Sequence, residues 1–316
     1  MEVNGQAIAE LVPIALLIII ANGLVLVLFF KRKQLRTPPN FILFSLAICD
    51  VTSGVIHIPL FIIVAFTPVV QSIELHDYLY TVVYVFHNAS AISTCYHILV
   101  ATAEKYLSIA FPVKHRQLNT KTIKAVLAVV WTWSIVFSFI PFAWVNMEDF
   151  DSKAKFQIAH VVFCLVTVFL LPYIFMIYAF VGIFKKISSF GKEGQKMAPK
   201  RHSLQQTTVA KRCLVLFASM ATIYLVCWLP WYILMLLYQI CPENEQLLMI
   251  PSKVIILVRY VASISNPCLY AFLRRDFKLA LKSLFRNCCR GTVLVSGKND
   301  RTTKAFYLRK DDNAKR

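Results

Sequence analysis

The stretch LVPIALLIIIANGLVLVLFF, residues 11–30, contains no charged side chain, and KRK follows it directly at 31–33. An α-helix rises about 1.5 Å per residue, so about 20 apolar residues cross the hydrocarbon core of a bilayer. In lipid every backbone N–H and C=O must be satisfied within the segment, and a helix does this. Outward from this stretch further runs qualify, giving spans at about 8–30, 39–65, 77–109, 122–145, 157–186, 206–238 and 251–272. The third is the least uniform, interrupted by His87, Asn88 and His97, and the seventh carries Arg259. The expected fold is all-α, an integral membrane bundle of seven transmembrane helices.

Composition agrees. Of 316 residues 58% are hydrophobic and 16% charged, too apolar for an ordinary soluble domain. The net charge of +18 could suit nucleic acid, but the basic residues lie in clusters between apolar runs, which is a topology signal. Lys31, Arg32, Lys33 and Arg36, then Lys114, Arg116, Lys121 and Lys124, then Lys185 to Arg212 and the tail from Arg274 fall on one side. The other side carries Lys153, Lys155 and Lys253 against acids such as Glu2, Glu10, Glu148, Asp149 and Asp151. The expected topology places the N-terminus outside and the C-terminus in the cytoplasm, as a multi-pass protein of the plasma membrane. The first apolar run lacks a basic leader and is too long for a signal peptide, so it is expected to remain as an anchor. The nine cysteines show no CxxC spacing, which disfavours a metal or redox centre.

Residues 1–7 form a short outer N-terminus. Beyond the seventh span, Phe277, Leu281, Leu284 and Phe285 share one helical face, flanked by Arg274, Arg275, Lys278, Lys282 and Arg286. This predicts an amphipathic eighth helix over 273–287, lying in the headgroup plane. Cys288 and Cys289 follow, where palmitoyl chains would add a second anchor; a solvated tail with two free thiols is the alternative. Residues 288–316 are polar and charged and are expected to be a disordered cytoplasmic tail.

From about Ala21 to Cys289 the pattern resembles the rhodopsin-like G protein-coupled receptors. Asn22-Gly23-Leu24-Val25 is similar to the family's GN-x-x-V element, and Ser45 to Asp50 to its S/N-L-A-x-x-D element. Trp131 and Pro141, then Phe169 and Pro172, match its fourth and fifth spans. Cys227-Trp228-Leu229-Pro230 matches CWxP, and Asn266-Pro267-Cys268-Leu269-Tyr270 matches NPxxY. Each is weak alone; one per span, in order, is specific. No subfamily is assignable.

The resemblance implies roles. Asp50, with Thr94, Ser263 and Asn266, matches the family's allosteric sodium site, an oxygen donor set that suits a hard cation. A protonated Asp50 bonded to Asn22 and Asn266 without an ion is the other arrangement. No further cofactor is implied. Pro230 and Pro267 remove backbone hydrogen bonds and kink their helices. With Trp228 and Tyr270 they form the expected activation switch. Glu104-Lys105-Tyr106, with Pro112 in the following loop, stands at the family's D-R-Y site for G-protein coupling. There Lys replaces the planar donor fork of Arg with a point charge. Ala210 stands where an acid normally latches the base of span six, which predicts elevated basal signalling. The family's outer disulfide is absent: Tyr80 occupies one position and the loop 146–156 has no cysteine.

The expected ligand pocket contains His87, Asn88, Ala91, Trp231, Tyr232, Met235, Arg259 and Tyr260. His87 stands where amine receptors place an Asp, so a monoamine lacks its counter-ion. Tyr260 stands at the retinal-bearing Lys of opsins, which excludes retinal attachment. A buried Arg259 needs a partner. It is supplied either by an anionic ligand, or by Glu10 or a wet vestibule. The function expected is transduction of an extracellular small-molecule or short-peptide signal to a heterotrimeric G protein, with membrane lipids, arrestin and receptor kinases as further partners. A non-coupling scavenging receptor is the alternative on account of Lys105. A transporter or channel is disfavoured by the lack of internal repeats. No enzyme chemistry and no nucleic-acid binding are expected.

Overall fold

The computed structural model describes residues 5–68, 73–196, 201–241, 243 and 245–295. Seven long helices form a bundle: α1 (Gly5–Lys31), α2 (Pro38–Phe66), α3 (Ile73–Ala110), α4 (Thr120–Trp144), α5 (Phe150–Cys164, Leu165–Leu170 and Leu171–Lys196), α6 (Arg201–Ile240) and α7 (Glu245–Leu273). An eighth, α8 (Arg275–Val295), follows, continuing past residue 287 where the amphipathic pattern was expected to end. No strand forms among the described residues.

All of these except α3 and α8 are long and apolar enough to cross a membrane. α3 packs against α2, α4, α5 and α6. A helix enclosed by neighbours meets little lipid, so its polar residues face protein and its apolar count can fall. His87, Asn88 and His97 are accordingly buried. Polarity is inverted relative to a water-soluble protein throughout. Asp50 and Asn22 are 0% exposed, whereas Ile20 is 66% and Phe272 78% exposed. The apolar rim is what a lipid-facing surface requires.

Local chemistry sets the helix starts and irregularities. Pro38 opens α2 behind an extended Thr37, where its missing N–H costs nothing. Asn119 caps α4, its side-chain oxygen accepting from the Thr122 N–H at 2.9 Å. Two turns widen to i→i+5 bonding, Ser53–His57 and Leu165–Leu170. Each precedes a proline, Pro59 or Pro172, whose ring would strike the carbonyl four residues back. The widened turn relieves that clash and frees carbonyls for tertiary bonds. In α5 those carbonyls accept from α3: Cys95 Sγ donates to Val168 O (2.9 Å) and Tyr96 Oη to Thr167 O (3.0 Å). α1 meets α2 at Gly54, where a Cβ would lie 2.8 Å from Ile19 Cγ1 and 3.1 Å from the Ala15 carbonyl oxygen. Ser45 joins three helices, accepting from Trp131 Nε1 (2.9 Å) and bonding His97 Nε2 (2.8 Å).

Candidate functional site

At the end of the bundle where α3 begins and α6 ends, α3 to α7 enclose a cavity of about 530 Å³. That size suits a small molecule or a few residues of peptide. Its wall includes Tyr80, Tyr84, Gln157, Trp231 and Met235. Among the described residues the only charged group in the wall is Lys153, which donates to the Val145 carbonyl (3.1 Å). No carboxylate among the described residues lines it.

Beneath the cavity floor lies Arg259, 1% exposed. Its Nη2 donates to Tyr260 Oη (3.1 Å) and its Nη1 bonds His87 Nε2. Three rings surround the guanidinium: Trp231 at 4.3 Å, Tyr260 at 5.0 Å and Phe61 at 5.6 Å from centroid to Cζ. These cation–π contacts contribute on the order of 1–2 kcal/mol each when desolvated. No carboxylate among the described residues pairs with Arg259. Glu10, the sequence's internal candidate, instead accepts from Gln6 (3.1 Å) and lines a separate cavity with Lys253.

Arginine has donors only, so His87 Nε2 must accept and the His87 proton sits on Nδ1. That proton faces His57 Nε2 at 3.2 Å. His57 therefore accepts there and carries its own proton on Nδ1, which has no protein partner. The result is a one-directional chain, Arg259 to His87 to His57. The His87 ring also lies 5.0 Å from Trp228 and 4.7 Å from Trp231, bridging the residues on either side of Pro230. Nearby, Tyr232 Oη donates to Asn88 Oδ1 (3.0 Å) and Tyr224 Oη to the Ala91 carbonyl (2.9 Å).

Midway along the bundle Asn266 Nδ2 donates to Asp50 Oδ2 (3.1 Å), while Asp50 Oδ1 has no protein partner. Asn22 bridges to the Ser263 carbonyl (3.0 Å), and Thr94 and Ser263 are buried. One carboxylate oxygen free of protein donors, on a helix neighbouring those that supply hydroxyls, fits a monovalent hard cation. Below it Tyr270 is buried, its hydroxyl unpartnered, with its ring 5.8 Å from Phe277 of α8.

At the opposite end Glu104 is buried and both its oxygens are engaged. Oε2 pairs with Lys105 Nζ at 3.0 Å and Oε1 accepts from His115 Nε2 at 2.6 Å. His115 closes the short helix Pro112–His115. Tyr106 Oη reaches Tyr178 Oη at 3.4 Å, and a Cβ on Gly182 would lie 2.7 Å from the Tyr106 ring.

The family model for 7 transmembrane receptors of the rhodopsin family matches residues 21–270. The chain belongs to that family. The receptor is 24% identical to the substance-P receptor of Aquarana catesbeiana, the match covering 87% of this chain and 69% of that one. It is 24% identical to the adenosine receptor A2b of Canis lupus familiaris (92% and 93% covered) and 20% to the lysophosphatidic acid receptor 1-B of Xenopus laevis (94% and 81%). Squid rhodopsin superimposes with a TM-score of 0.75 at 18% identity, covering 89% of this chain and 85% of the other. The protein is thus a membrane receptor and not an enzyme.

Of the residues expected from sequence to meet ligand, Trp231 and Met235 line the cavity of this receptor. His87, Asn88, Ala91, Tyr232, Arg259 and Tyr260 are brought together beneath it, each almost wholly buried. Asp50 and Asn266 are in contact, and Trp228 sits against His87. The side chains of Cys288 and Cys289 lie outside the described residues. Sequence reasoning missed Tyr84, Lys153, Gln157 and His115. Tyr84 lies three positions before His87 on one helix, a spacing that could have flagged it. Lys153 was read only as a loop charge. His115 carries no motif signal at all.

Proposed function

We propose that this receptor transduces binding of an extracellular small-molecule or short-peptide ligand, anionic and not a monoamine, to a heterotrimeric G protein. The carrying observation is electrostatic. Among the described residues the cavity wall holds Lys153 and no carboxylate, and Arg259, with no carboxylate partner among them, lies directly beneath. An amine would meet only like charge there, whereas an anion would be attracted. The relatives named above are, by their names, receptors for a peptide, a nucleoside and a phospholipid, a breadth that places no restriction on an anionic ligand.

In this reading the N-terminus and the cavity face outward and the cationic inner segments face the cytoplasm of the plasma membrane. α8 lies along the headgroups, with Cys288 and Cys289 as palmitoylation sites, and arrestin and receptor kinases meet the inner face. Asp50, Thr94, Ser263 and Asn266 would hold a sodium ion, which would supply charge neutralisation to Asp50 in the resting state. Trp228, Pro230, Pro267 and Tyr270 act as the switch. Ligand shifts a pre-existing equilibrium in proportion to its differential affinity for the two states.

Lys105 favours a second reading, a receptor that binds and internalises ligand without coupling. Its ammonium is held by Glu104 and lacks the directed fork of Arg. A ligand-library screen on receptor reconstituted with G protein, reading nucleotide exchange beside a Lys105→Arg variant, separates the two. Ligand-driven exchange in the native protein supports coupling. Exchange only in Lys105→Arg, with ligand bound by both, establishes the non-coupling receptor.

A further inference from the structure

Arg259 has donors to spare. Of the five N–H groups a guanidinium carries, two are committed, to His87 and Tyr260, and Nε has no partner. Two further donors close by are also unsatisfied although buried, Trp231 Nε1 and Asn88 Nδ2. A buried donor left unmade costs about 1–3 kcal/mol. Trp231 divides these groups from the cavity: one of its faces covers the guanidinium at 4.3 Å and the residue forms part of the cavity wall. It also follows Pro230 directly, the point where α6 lacks a backbone hydrogen bond and can bend.

We propose that Arg259 is a latent oxyanion site, capped by Trp231, whose occupation is reported to Trp228 through His87. The inference rests on the receptor function proposed above and names the ligand group and the point it engages. A carboxylate or phosphate that displaces the Trp231 ring meets the unpaired Nε–H and the neighbouring donors, and charge-assisted bonds to a guanidinium are among the strongest available. Drawing the guanidinium toward the cavity weakens its bond to His87. The His87 ring, in contact with Trp228 and Trp231 together, is then free to turn, and both tryptophans flank the α6 hinge. Lys153 at the cavity wall attracts the anion but is not its final partner.

The test uses full-length receptor in nanodiscs of neutral lipid. Thermal stability is followed against sodium benzoate and sodium phenyl phosphate, with sodium chloride matched so that the cation is constant. The native protein is expected to show a saturable rise in melting temperature with at least one of the two. Arg259→Gln should lose it, with apparent affinity falling more than about tenfold. Arg259→Lys should weaken it, Trp231→Ala should retain or tighten it because the cap is gone, and Lys153→Gln should retain saturation. His87→Phe, which removes the acceptor of Arg259 Nη1, should lose the anion's effect on G-protein nucleotide exchange. The proposal is overturned if neither salt stabilises the native protein, if Arg259→Gln keeps the shift, or if Lys153→Gln alone abolishes it. Because Arg259→Gln could misfold, Trp231→Ala decides independently: a weaker shift there also overturns the cap. Saturable binding without any nucleotide exchange would refute coupling and leave this site intact. Exchange driven equally in native and Arg259→Gln receptor would refute the site and leave coupling intact.

Discussion

Replacing His115 with alanine should raise ligand-independent signalling. Glu104 is 3% exposed at its side chain and has two partners, Lys105 beside it in α3 and His115 in the short helix Pro112–His115. Only the second ties α3 to another segment. A hydrogen bond to a charged group is worth about 1.5–3 kcal/mol, and the 29% exposure of His115 places this one at the low end, about 1.5 kcal/mol. We assign the Glu104–His115 bond to the resting state, because it ties the end of α3 to the short helix Pro112–His115 and so opposes movement between them. Losing about 1.5 kcal/mol from the resting state alone shifts the basal equilibrium about tenfold. His115→Gln, whose amide can still donate, should stay near the native level. The assay is nucleotide exchange on reconstituted heterotrimer without ligand, with receptor amounts matched. An unchanged or lowered baseline in His115→Ala would show that the Glu104–His115 bond is equally present in both states and would refute the reasoning.

Gly54→Val should destabilise the fold by about 1–3 kcal/mol, since the added carbons meet Ile19 and the Ala15 backbone, and detergent thermal denaturation would show it as a lowered midpoint. Asp50→Asn should remove any dependence of ligand affinity on sodium; a dependence that survives the change would place the ion elsewhere. Reductant should leave ligand binding and melting temperature unaltered, because Cys241, just past α6, is a free thiol; a sensitive receptor would imply a bridge between chains. Burial alone would raise the Asp276 carboxyl, but the Arg274 guanidinium, bonded at 2.8 Å and 3.2 Å, together with Asn40 at 3.2 Å, holds it below its ordinary value. Its contribution to docking α8 on α2 is thus complete above about pH 4 and lost as pH falls through the depressed value. A spin label at Lys278 should gain mobility under that acidification, and at neutral pH in Asp276→Ala.

The bundle was legible because lipid imposes a rule without exceptions at the scale of a span: twenty apolar residues announce themselves whatever their order. His87, Asn88 and His97 were legible as interruptions of the least uniform span, and their burial among neighbouring helices explains them, but the central position of α3 was not legible. Nor were side-chain pairings. The absence of an acid at Ala210 suggested a base without a latch, yet His115, eleven residues along the chain from Glu104, pairs with the carboxylate through a loop geometry that no periodicity encodes. Tyr178 is largely exposed, yet its hydroxyl meets Tyr106 because Gly182 lets the Tyr106 ring lie close to α5. Proline positions predicted kinks, but the widened turn before Pro172 goes with carbonyls that α3 satisfies, at Thr167 and Val168, a tertiary matter.

The unsatisfied polar atoms follow a pattern that bears on how such a receptor moves. Beside Arg32 Nε, Asn40 Oδ1, Thr102 Oγ1 and His160 Nδ1, the buried polar atoms without a protein partner among the described residues include Trp231 Nε1, Asn88 Nδ2, Arg259 Nε, His57 Nδ1, Asn22 Oδ1, Asp50 Oδ1 and Tyr270 Oη. The latter come from α1, α2, α3, α6 and α7 and fall from the cavity floor, through the Asp50 level, to the start of α8. A well-packed apolar interior would hold these helices in one arrangement, because displacing it by even a methylene is costly. Polar atoms with open valences hold it less firmly, since each can exchange one partner for another with little net change. The bistability a receptor needs is therefore concentrated along this column, with rigid apolar packing around it. It follows that filling the column with apolar bulk should trap one state. Asn88→Leu combined with Tyr232→Phe, which removes the orphaned donor and both halves of the Tyr232–Asn88 bond, should raise thermal stability or leave it unchanged while lowering agonist-driven exchange. A variant that lost stability and kept full efficacy would show that the column is structural and that the switching lies elsewhere.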